Sequence, residues 1–275
     1  MKSRIKSFYK RFVDVMKMGE MRILPGQLAY FLVLSIIPLL IIFTFVASKI
    51  TASTDLSKTL YQVLPSFIVD IVLPALETSN ISTNFLVLFI IAFFVASNGP
   101  YSIINTADML YGIKNGKVVS SRIKSIIMTC IILIALLFLL VVPIFGNIII
   151  DFFSNVFNEG HQIAVFAQLY KYLKIPVTFL FIFLNIKIIY TMAPNMAIKS
   201  RETTYGALFA SIGWIIATQI YYLYITKVAD YSLLYGSFSN ILVLFIWIYV
   251  LSYIFVAGIA LNNKKYKDIK EKGSI

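Results

Sequence analysis

The stretch SNGPYSIINTADMLYG, from Ser97 to Gly112, decides how this chain folds. It continues an uncharged run of apolar side chains, FLVLFIIAFFVA, at Phe85–Ala96. A helix in a bilayer can hold a Gly-Pro pair and polar side chains only where neighbouring protein or trapped water satisfies the freed backbone and polar groups. The stretch therefore predicts a membrane helix that other helices cover on one face and that is kinked at Gly99 and Pro100.

The composition of the whole chain agrees with this interpretation. Hydrophobic residues make up 60% and charged residues 13% of the 275 residues, whereas a soluble domain is roughly half apolar and a quarter charged. Several apolar runs reach the roughly 20 residues that a helix needs to cross a bilayer. We therefore predict an all-α integral membrane protein. The net charge of +12 does not indicate nucleic acid, because Lys and Arg lie in the flanks between the hydrophobic runs.

Hydrophobic periodicity divides residues 24–262 into a membrane domain of six transmembrane helices. Their ranges, to within a few residues, are about 24–50, 84–111, 123–152, 163–192, 203–226 and 238–261. Residues 51–83 carry an apolar stripe at helical spacing, but the opposite face is too polar to span a bilayer. We expect this external amphipathic segment either to re-enter the membrane or to form a cap on its outer surface.

Basic segments flank the membrane domain at both ends. Residues 1–23 alternate apolar side chains at helical spacing with Lys and Arg, which predicts a cytoplasmic amphipathic helix. That helix lies on an anionic leaflet or packs against the cytoplasmic end of the bundle. Residues 263–275 predict a basic cytoplasmic tail, which holds anionic lipid or a partner, or is simply solvated.

The distribution of positive charge predicts the orientation. With six spans, one side of the membrane collects both termini, the 112–124 loop and the 187–202 region, and 19 of the 24 Lys and Arg residues fall there. The opposite side has five lysines: Lys49, Lys58, Lys171, Lys174 and Lys227. The positive-inside rule then places both termini of this multi-pass membrane protein in the cytoplasm.

Polar residues near the predicted cytoplasmic ends of the second and fourth spans are the candidate substrate-binding residues. They are Asn105, Asp108, Asn185, Lys187 and Tyr190. Asn105 and Asp108 lie three residues apart and share a helix face. We hypothesise that Asp108 faces Lys187 in a polar inner vestibule. The alternative is that Lys187 extends to the interface, while Asp108 caps a helix or pairs with a loop lysine.

Gly and Pro residues inside four predicted spans are candidate kinks or gates. They are Pro38, Gly99, Pro100, Pro143 and Pro176. Proline removes a backbone hydrogen bond in a helix interior and bends the helix. Such kinks suit a cavity that opens to one leaflet, but purely structural kinks are commoner.

A series of short motifs, taken in order, resembles the YihY/BrkB family of bacterial inner-membrane proteins. The series begins with LAY at 28–30 and ends with the G-x-x-L-N of 258–262. The positions that carry the resemblance are Tyr30, Ser35, Asn105, Tyr111, Pro194, Gly206, Trp214, Tyr235, Gly236, Trp247 and Asn262. The chain departs from the pattern at Lys114 and Asn115, where an acidic-then-basic pair is usual.

The resemblance implies a six-helix protein of the bacterial inner membrane. Members of the family have carried a ribonuclease BN label, a virulence or serum-resistance label, and suggested links to the export of lipids or lipid-linked glycans. The residues do not favour a nuclease, because the chain has a single histidine, His161, and twelve scattered acidic residues, without the clustering that holds a catalytic metal. We expect no enzymatic activity, metal or cofactor.

Two classes of function remain open. The first is transport, flipping or handling of an amphiphilic, lipid-type or lipid-linked envelope substrate, which the basic cytoplasmic segments and the external amphipathic segment favour. The second is a non-transporting scaffold or envelope-assembly protein. A transporter needs a continuous polar path between spans, whereas a scaffold can have a dry, close-packed interior. In both cases we expect anionic lipids of the bilayer as partners, and not nucleic acid.

Overall fold

The computed structural model describes residues 2–50, 83–113, 118–135, 160–227 and 238–272. Within these residues all regular secondary structure is helical, as the sequence predicts. The helices, numbered in chain order, are α1 (Lys2–Met16), α2 (Leu24–Ile50), α3 (Thr83–Ala96), α4 (Asn98–Tyr111), α5 (Val118–Ala135), α6 (Gly160–Met192), α7 (Thr204–Lys227) and α8 (Phe238–Lys272). A short 3-10 helix at Gly19–Arg22 joins α1 to α2.

Three helices in the described part of the chain are long and apolar enough to cross a membrane. The candidate spans are Val118–Ala135, Thr204–Ile225 and Leu242–Asn263. Leu24–Ile36 and Pro176–Met192 form shorter apolar helical stretches. The count of six spans stays a prediction. Residues 51–82 of the external segment lie outside the described residues, as do Pro143, Tyr235 and Gly236.

The chain divides into two compact units. The first consists of Met1–Ser35, Ser97–Met128 and Phe183–Ile275, and the second of Ile36–Ala96 and Thr129–Ile182. The first unit therefore contains α1, α4, α7 and α8, together with parts of α2, α5 and α6. The contacts described below lie within this unit.

The helix of the second predicted span is interrupted at one residue, Ser97, which itself has helical backbone angles, with φ of −69° and ψ of −7°. The kink at Gly99 and Pro100 stays a prediction. The structure ends α3 at Ala96 and begins α4 at Asn98. Pro100 lies in the first turn of α4, where a proline is tolerated because the first helical N–H groups have no intrahelical partner. Gly99 and Pro100 thus lie in the first turn of α4. Pro38 and Pro176, in contrast, lie inside the continuous helices α2 and α6.

Helix α4 ends at a glycine that the backbone requires. Gly112 has φ of +72°, a left-handed conformation that favours glycine and commonly ends helices. Its N–H donates to the Met109 carbonyl at 3.2 Å, and the Ile113 N–H donates to the Asp108 carbonyl at 2.8 Å. The turn therefore satisfies the last carbonyls of α4.

Both basic end segments are helical where they are described. Helix α1 packs on α8, with Val15 fully buried. The rings of Phe12 and Phe209 lie 5.7 Å apart, and the Tyr253 hydroxyl donates to the Met16 sulfur at 3.5 Å. For the C-terminal end of α1, the structure thus favours the alternative in which this helix packs against the bundle and does not lie on a lipid leaflet. Helix α8 continues past the predicted end of the last span, to Lys272.

Candidate functional site

Asp108 is the centre of a polar cluster that joins two helices and a loop. The carboxyl group lies on the last turn of α4 and the residue is 8% exposed. The Asn195 backbone N–H donates to Asp108 Oδ1 at 2.7 Å, and Asn195 Nδ2 donates to Asp108 Oδ2 at 2.6 Å. Hydrogen bonds to an ionised acceptor are the stronger class. The loop after α6 is therefore held against α4 by both carboxylate oxygens.

The same loop is tied to the first turns of α5. Asn195 Nδ2 also donates to Ser121 Oγ at 2.7 Å. Lys124 Nζ donates to the Pro194 carbonyl at 2.8 Å and to Asn195 Oδ1 at 3.1 Å, and its charge interacts with that of Asp108. We call Asp108, Ser121, Lys124 and Asn195 the Asp108 cluster. The backbone N–H and both side-chain polar atoms of Asn195 thus have partners, and the four residues form one hydrogen-bonded network.

The hypothesised pair of Asp108 and Lys187 is not formed. Both side chains are described, and no ion pair joins them; Asn195 instead donates one hydrogen bond to each oxygen of the Asp108 carboxylate. The Lys187 ammonium lies 5.8 Å from the centre of the Phe183 ring, one turn back along α6. The lysine that interacts with Asp108 is Lys124, in agreement with the alternative in which Asp108 meets a lysine near the 112–124 loop.

The start of α4 is fixed by two further polar contacts. The Gly99 N–H donates to Ser35 Oγ at 2.8 Å, while the Ser35 hydroxyl donates to the Phe31 carbonyl at 2.7 Å. Arg122 donates to Asn98 Oδ1 at 2.9 Å. Ser35 therefore satisfies a backbone N–H that the helix start leaves without an intrahelical partner. This gives a structural role to the serine of the LAY…S motif.

Helices α6, α7 and α8 meet at two glycines. Tyr190 is 2% exposed, and its hydroxyl donates to the Phe255 carbonyl at 2.7 Å. A Cβ on Gly258 would collide with the Tyr190 hydroxyl, and a Cβ on Gly206 would collide with the Gly258 carbonyl. We call Tyr190, Gly206, Gly258 and Asn262 the glycine contact. Small residues at such a crossing let two helix backbones approach closely in a membrane protein.

Asn262 caps the start of α7 from a different helix. Its Oδ1 accepts from the Gly206 N–H at 2.7 Å, which is one of the N–H groups that a helix start leaves unpaired. The neighbouring Asn263 Nδ2 donates to the Leu110 carbonyl at 2.6 Å, at the end of α4. Consecutive asparagines on α8 thus hold the ends of two other helices. The sequence placed Asn262 in the family pattern, but not Asn263.

An apolar groove lies between α7 and α8, beyond the glycine contact. Its volume is about 580 Å³. The walls include Gly213, Ala217 and Tyr221 from α7 and Val243, Trp247 and Val250 from α8. These positions recur every three or four residues and therefore form one face of each helix. The groove is open at its edges, where Ile220 is 62% and Ile246 is 63% exposed.

One polar atom of the groove wall lacks a partner. The Trp247 indole stacks on the Tyr221 ring, with centroids 5.0 Å apart and an interplanar angle of 24°. Its Nε1 is buried and has no hydrogen-bond acceptor among the described residues. The other tryptophan differs, because Trp214 Nε1 donates to the Leu251 carbonyl at 3.0 Å. The groove wall also includes two tyrosines, Tyr221 and Tyr224.

The predicted substrate residues therefore do not form one site. Asp108 belongs to the Asp108 cluster, Tyr190 belongs to the glycine contact, and Lys187 lies over Phe183. Asn105 and Asn185 are half-buried on α4 and α6. Their roles as substrate-binding residues stay predictions. Asn195 was not among the predicted residues, and its signal in the sequence is its place directly after the motif residue Pro194.

The long apolar helices define an all-helical membrane protein. The chain belongs to the Virulence factor BrkB family, whose sequence profile matches residues 12–274. This confirms the resemblance that the motifs indicated.

The relatives are bacterial proteins. The chain is 29% identical over 266 residues to the Bacillus subtilis (strain 168) protein named "Putative ribonuclease-like protein YfkH", covering 95% of this chain and 96% of that protein. It is 28% identical over 133 residues to a UPF0761 membrane protein of Glaesserella parasuis serovar 5 (strain SH0165), covering 48% of this chain and 46% of that protein. No solved structure matches the chain.

The ribonuclease-like wording belongs to the name of the Bacillus protein. Where the structure describes this chain, no group of three or more His, Cys, Asp or Glu residues could hold a metal ion. The UPF0761 relatives are named as membrane proteins, which agrees with the apolar helices.

Proposed function

We propose that the protein binds a lipid-type amphiphile in the groove between α7 and α8 and handles or moves it within the bacterial plasma membrane. The groove is the observation that carries this proposal. Its volume of about 580 Å³ lies within the roughly 300–1,000 Å³ of small-molecule sites. Both walls belong to candidate spans, so in a membrane the groove opens toward lipid chains and not toward water.

The proposal includes a topology of six spans with both termini in the cytoplasm. The excess of Lys and Arg on that side supports it. In this orientation α7 runs outward and α8 runs inward, so the groove lies in the outer half of the bilayer. The basic segments at the two ends of the chain would then attract anionic lipids of the inner leaflet.

The topology is tested by labelling single cysteines with a membrane-impermeant maleimide in intact cells. Cys130 is the one native cysteine and would first be replaced by alanine. We expect Ser57→Cys to be labelled from outside and Lys199→Cys only after the membrane is opened. Labelling of Lys199→Cys in intact cells would contradict the proposed orientation.

Lipid binding is tested by native mass spectrometry of the purified protein in mild detergent, with bacterial phosphatidylglycerol added. We expect a retained lipid that Ala217→Trp displaces, because the larger side chain fills the groove. Ile212→Trp is the matched control, since Ile212 is exposed on the same helix but is not part of the groove wall. Equal lipid retention in both variants would contradict binding in the groove.

Movement of lipid is tested separately, in proteoliposomes that carry a fluorescent phosphatidylglycerol in one leaflet. We expect transfer between leaflets in the wild type and its loss in Ala217→Trp. Transfer that Ala217→Trp leaves unchanged would contradict movement through the groove.

A non-transporting scaffold is the second candidate. The observation in its favour is that polar groups near the loop after α6 are paired with one another in the Asp108 cluster, where Asn195 donates to Asp108 and to Ser121. Such an interior is close-packed where a transporter would need a polar path. Retained lipid without any transfer between leaflets, together with a protein captured specifically by cross-linking in cells, would favour this candidate.

A further inference from the structure

Lys187 carries a positive charge in the part of α6 that the proposed topology places in the membrane. It belongs to the apolar stretch Pro176–Met192 and lies five residues before the end of α6, which is about 8 Å along the helix axis. Half of the hydrocarbon core of a bilayer is about 15 Å thick. Charged side chains within membrane helices are rare and costly, and they commonly mark the path of a substrate or an ion.

The side chain of Lys187 does not extend toward the nearer end of α6. Its ammonium lies 5.8 Å from the centre of the Phe183 ring, one turn farther from Met192. A lysine that only avoids the hydrocarbon extends its ammonium toward the nearer interface. Here the charge lies instead over an aromatic face, which attracts it. The fold therefore keeps a positive charge at a depth where acyl chains surround the helix.

The ammonium can be reached by a ligand. Among the described residues, the Phe183 ring is its one partner group. Lys187 Nζ is also not one of the buried, unpaired side-chain atoms of this part of the chain, so it retains accessible surface. Its neighbours on α6, Leu184 and Ile188, are 45% and 43% exposed. The ammonium thus lies beside an open, apolar face of the helix.

The surroundings of the ammonium indicate which anion it can bind. A free anion would have to lose its hydration shell to enter an apolar surface, which is costly. The phosphate of a lipid is carried there by its own acyl chains, and hydrogen bonds between an ammonium and a phosphate are of the strong, charge-assisted class. An apolar face beside a single positive charge therefore matches an amphiphile with an anionic headgroup.

We infer that Lys187 binds the phosphate group of a lipid on the exposed face of α6. The inference rests on the proposed handling of a lipid-type amphiphile, and it adds the residue that recognises the headgroup. It does not require that this lipid also occupies the groove between α7 and α8.

The experiment compares phosphatidylglycerol with diacylglycerol of the same acyl chains, which lacks the phosphate. Retention of each lipid is measured by native mass spectrometry on the full chain in mild detergent. We expect Lys187→Met to lower the retention of phosphatidylglycerol about 10-fold or more, the factor that one hydrogen bond to a charged group provides, and to leave diacylglycerol unchanged. Lys187→Arg keeps the charge and should keep the wild-type preference. Unchanged retention of phosphatidylglycerol in Lys187→Met would overturn the inference.

Lys199→Met is the matched control. It removes the same charge from an exposed position in the loop after α6, and we expect it to retain both lipids as the wild type does. If Lys199→Met lost as much phosphatidylglycerol as Lys187→Met, the inference would be overturned, because the loss would reflect the general attraction of basic residues for anionic lipid.

Inorganic phosphate offers the same chemistry without acyl chains, and competition distinguishes the two sources. It is added to the wild type at the ionic strength of a chloride control. We expect it to leave the retention of phosphatidylglycerol unchanged. Displacement of the lipid by inorganic phosphate would overturn the assignment to a lipid and indicate a water-soluble anion as the ligand.

The stability of the lipid-free protein separates a binding role from a structural one. Lys187→Met removes a charge whose partner group among the described residues is one aromatic ring. We therefore expect an unfolding titration without lipid to give the same midpoint as Lys199→Met or a higher one. A lower midpoint would overturn the binding role, because it would show that Lys187 holds the fold together.

Failure of the inference and failure of the proposed function give different results. If Ala217→Trp displaces both lipids and Lys187→Met displaces neither, the groove binds lipid but Lys187 does not bind the phosphate. If Lys187→Met lowers only phosphatidylglycerol and Ala217→Trp displaces neither lipid, the inference holds and the groove is not the binding site. If neither variant changes the retention of either lipid, both fail.

Discussion

Replacing Gly206 by alanine provides a sharp test of the glycine contact. In the structure, a Cβ at this position would collide with the Gly258 carbonyl and would lie 2.5 Å from Asn262 Nδ2. Neither neighbour can move freely, because Gly258 is backbone on α8 and Asn262 is 1% exposed. The two helices must therefore separate to admit one methyl group.

The expected loss of stability has two parts. Forcing a methyl group into a well-packed contact costs about 1–3 kcal/mol. Separation also weakens the hydrogen bond from the Gly206 N–H to Asn262 Oδ1, 2.7 Å long, and leaving such a buried donor unpaired costs about 1–3 kcal/mol. The higher helix propensity of alanine offsets up to about 1 kcal/mol of this loss in the free energy of unfolding. We therefore expect a net loss of about 2–4 kcal/mol in the free energy of unfolding.

The measurement is a reversible unfolding titration of the purified protein in mixed micelles. Gly26→Ala is the matched control, because Gly26 is also helical and the nearest contact of an added Cβ, Tyr249 Cε2, is 3.9 Å away. We expect the control to be unchanged or slightly more stable. If Gly206→Ala and Gly26→Ala had equal stabilities, the close approach of α7 and α8 described here would be refuted.

Three further predictions concern single contacts, and each is measured by the same titration. A double-mutant cycle between Asp108→Ala and Asn195→Ala should show a coupling energy of about 1.5–3 kcal/mol, because the carboxylate accepts two hydrogen bonds from Asn195. The coupling energy between Asp108→Ala and Lys187→Ala should stay within about 0.5 kcal/mol. A larger coupling of Asp108 to Lys187 than to Asn195 would support the original hypothesis that Asp108 pairs with Lys187. Ser35→Ala should cost about 1–3 kcal/mol by leaving the Gly99 N–H unpaired, whereas a loss no larger than that of the exposed Ser120→Ala would contradict the Ser35 contact. Tyr190→Phe should cost about 0.5–1.5 kcal/mol for the lost hydrogen bond to Phe255, and unchanged stability would argue that this bond is not formed.

The sequence alone was sufficient for the helical class of the fold and for the family. The predicted first span and the observed α2 share the range Leu24–Ile50, because a run of apolar side chains of bilayer length is a local property. The end of α4 at Gly112 is equally local, since glycine readily adopts positive φ. The motif series was sufficient to indicate the Virulence factor BrkB family.

The partners of the polar residues were decided by the tertiary structure. The sequence suggested that Asp108 faces Lys187, but the loop after α6 folds back and places Asn195 on the carboxylate. The residues that meet are 87 positions apart, and no periodicity within one helix encodes which loop covers its end.

The groove, too, depends on the pairing of α7 with α8. The sequence shows that Gly213, Ala217 and Trp247 lie in apolar helices, but not that they share a wall. Their alignment follows from the glycine contact and from the Asn262 cap, which set how closely the two helices approach and in which register. Local hydrophobicity therefore determined that this chain forms membrane helices, whereas helix packing determined which polar groups have hydrogen-bond partners.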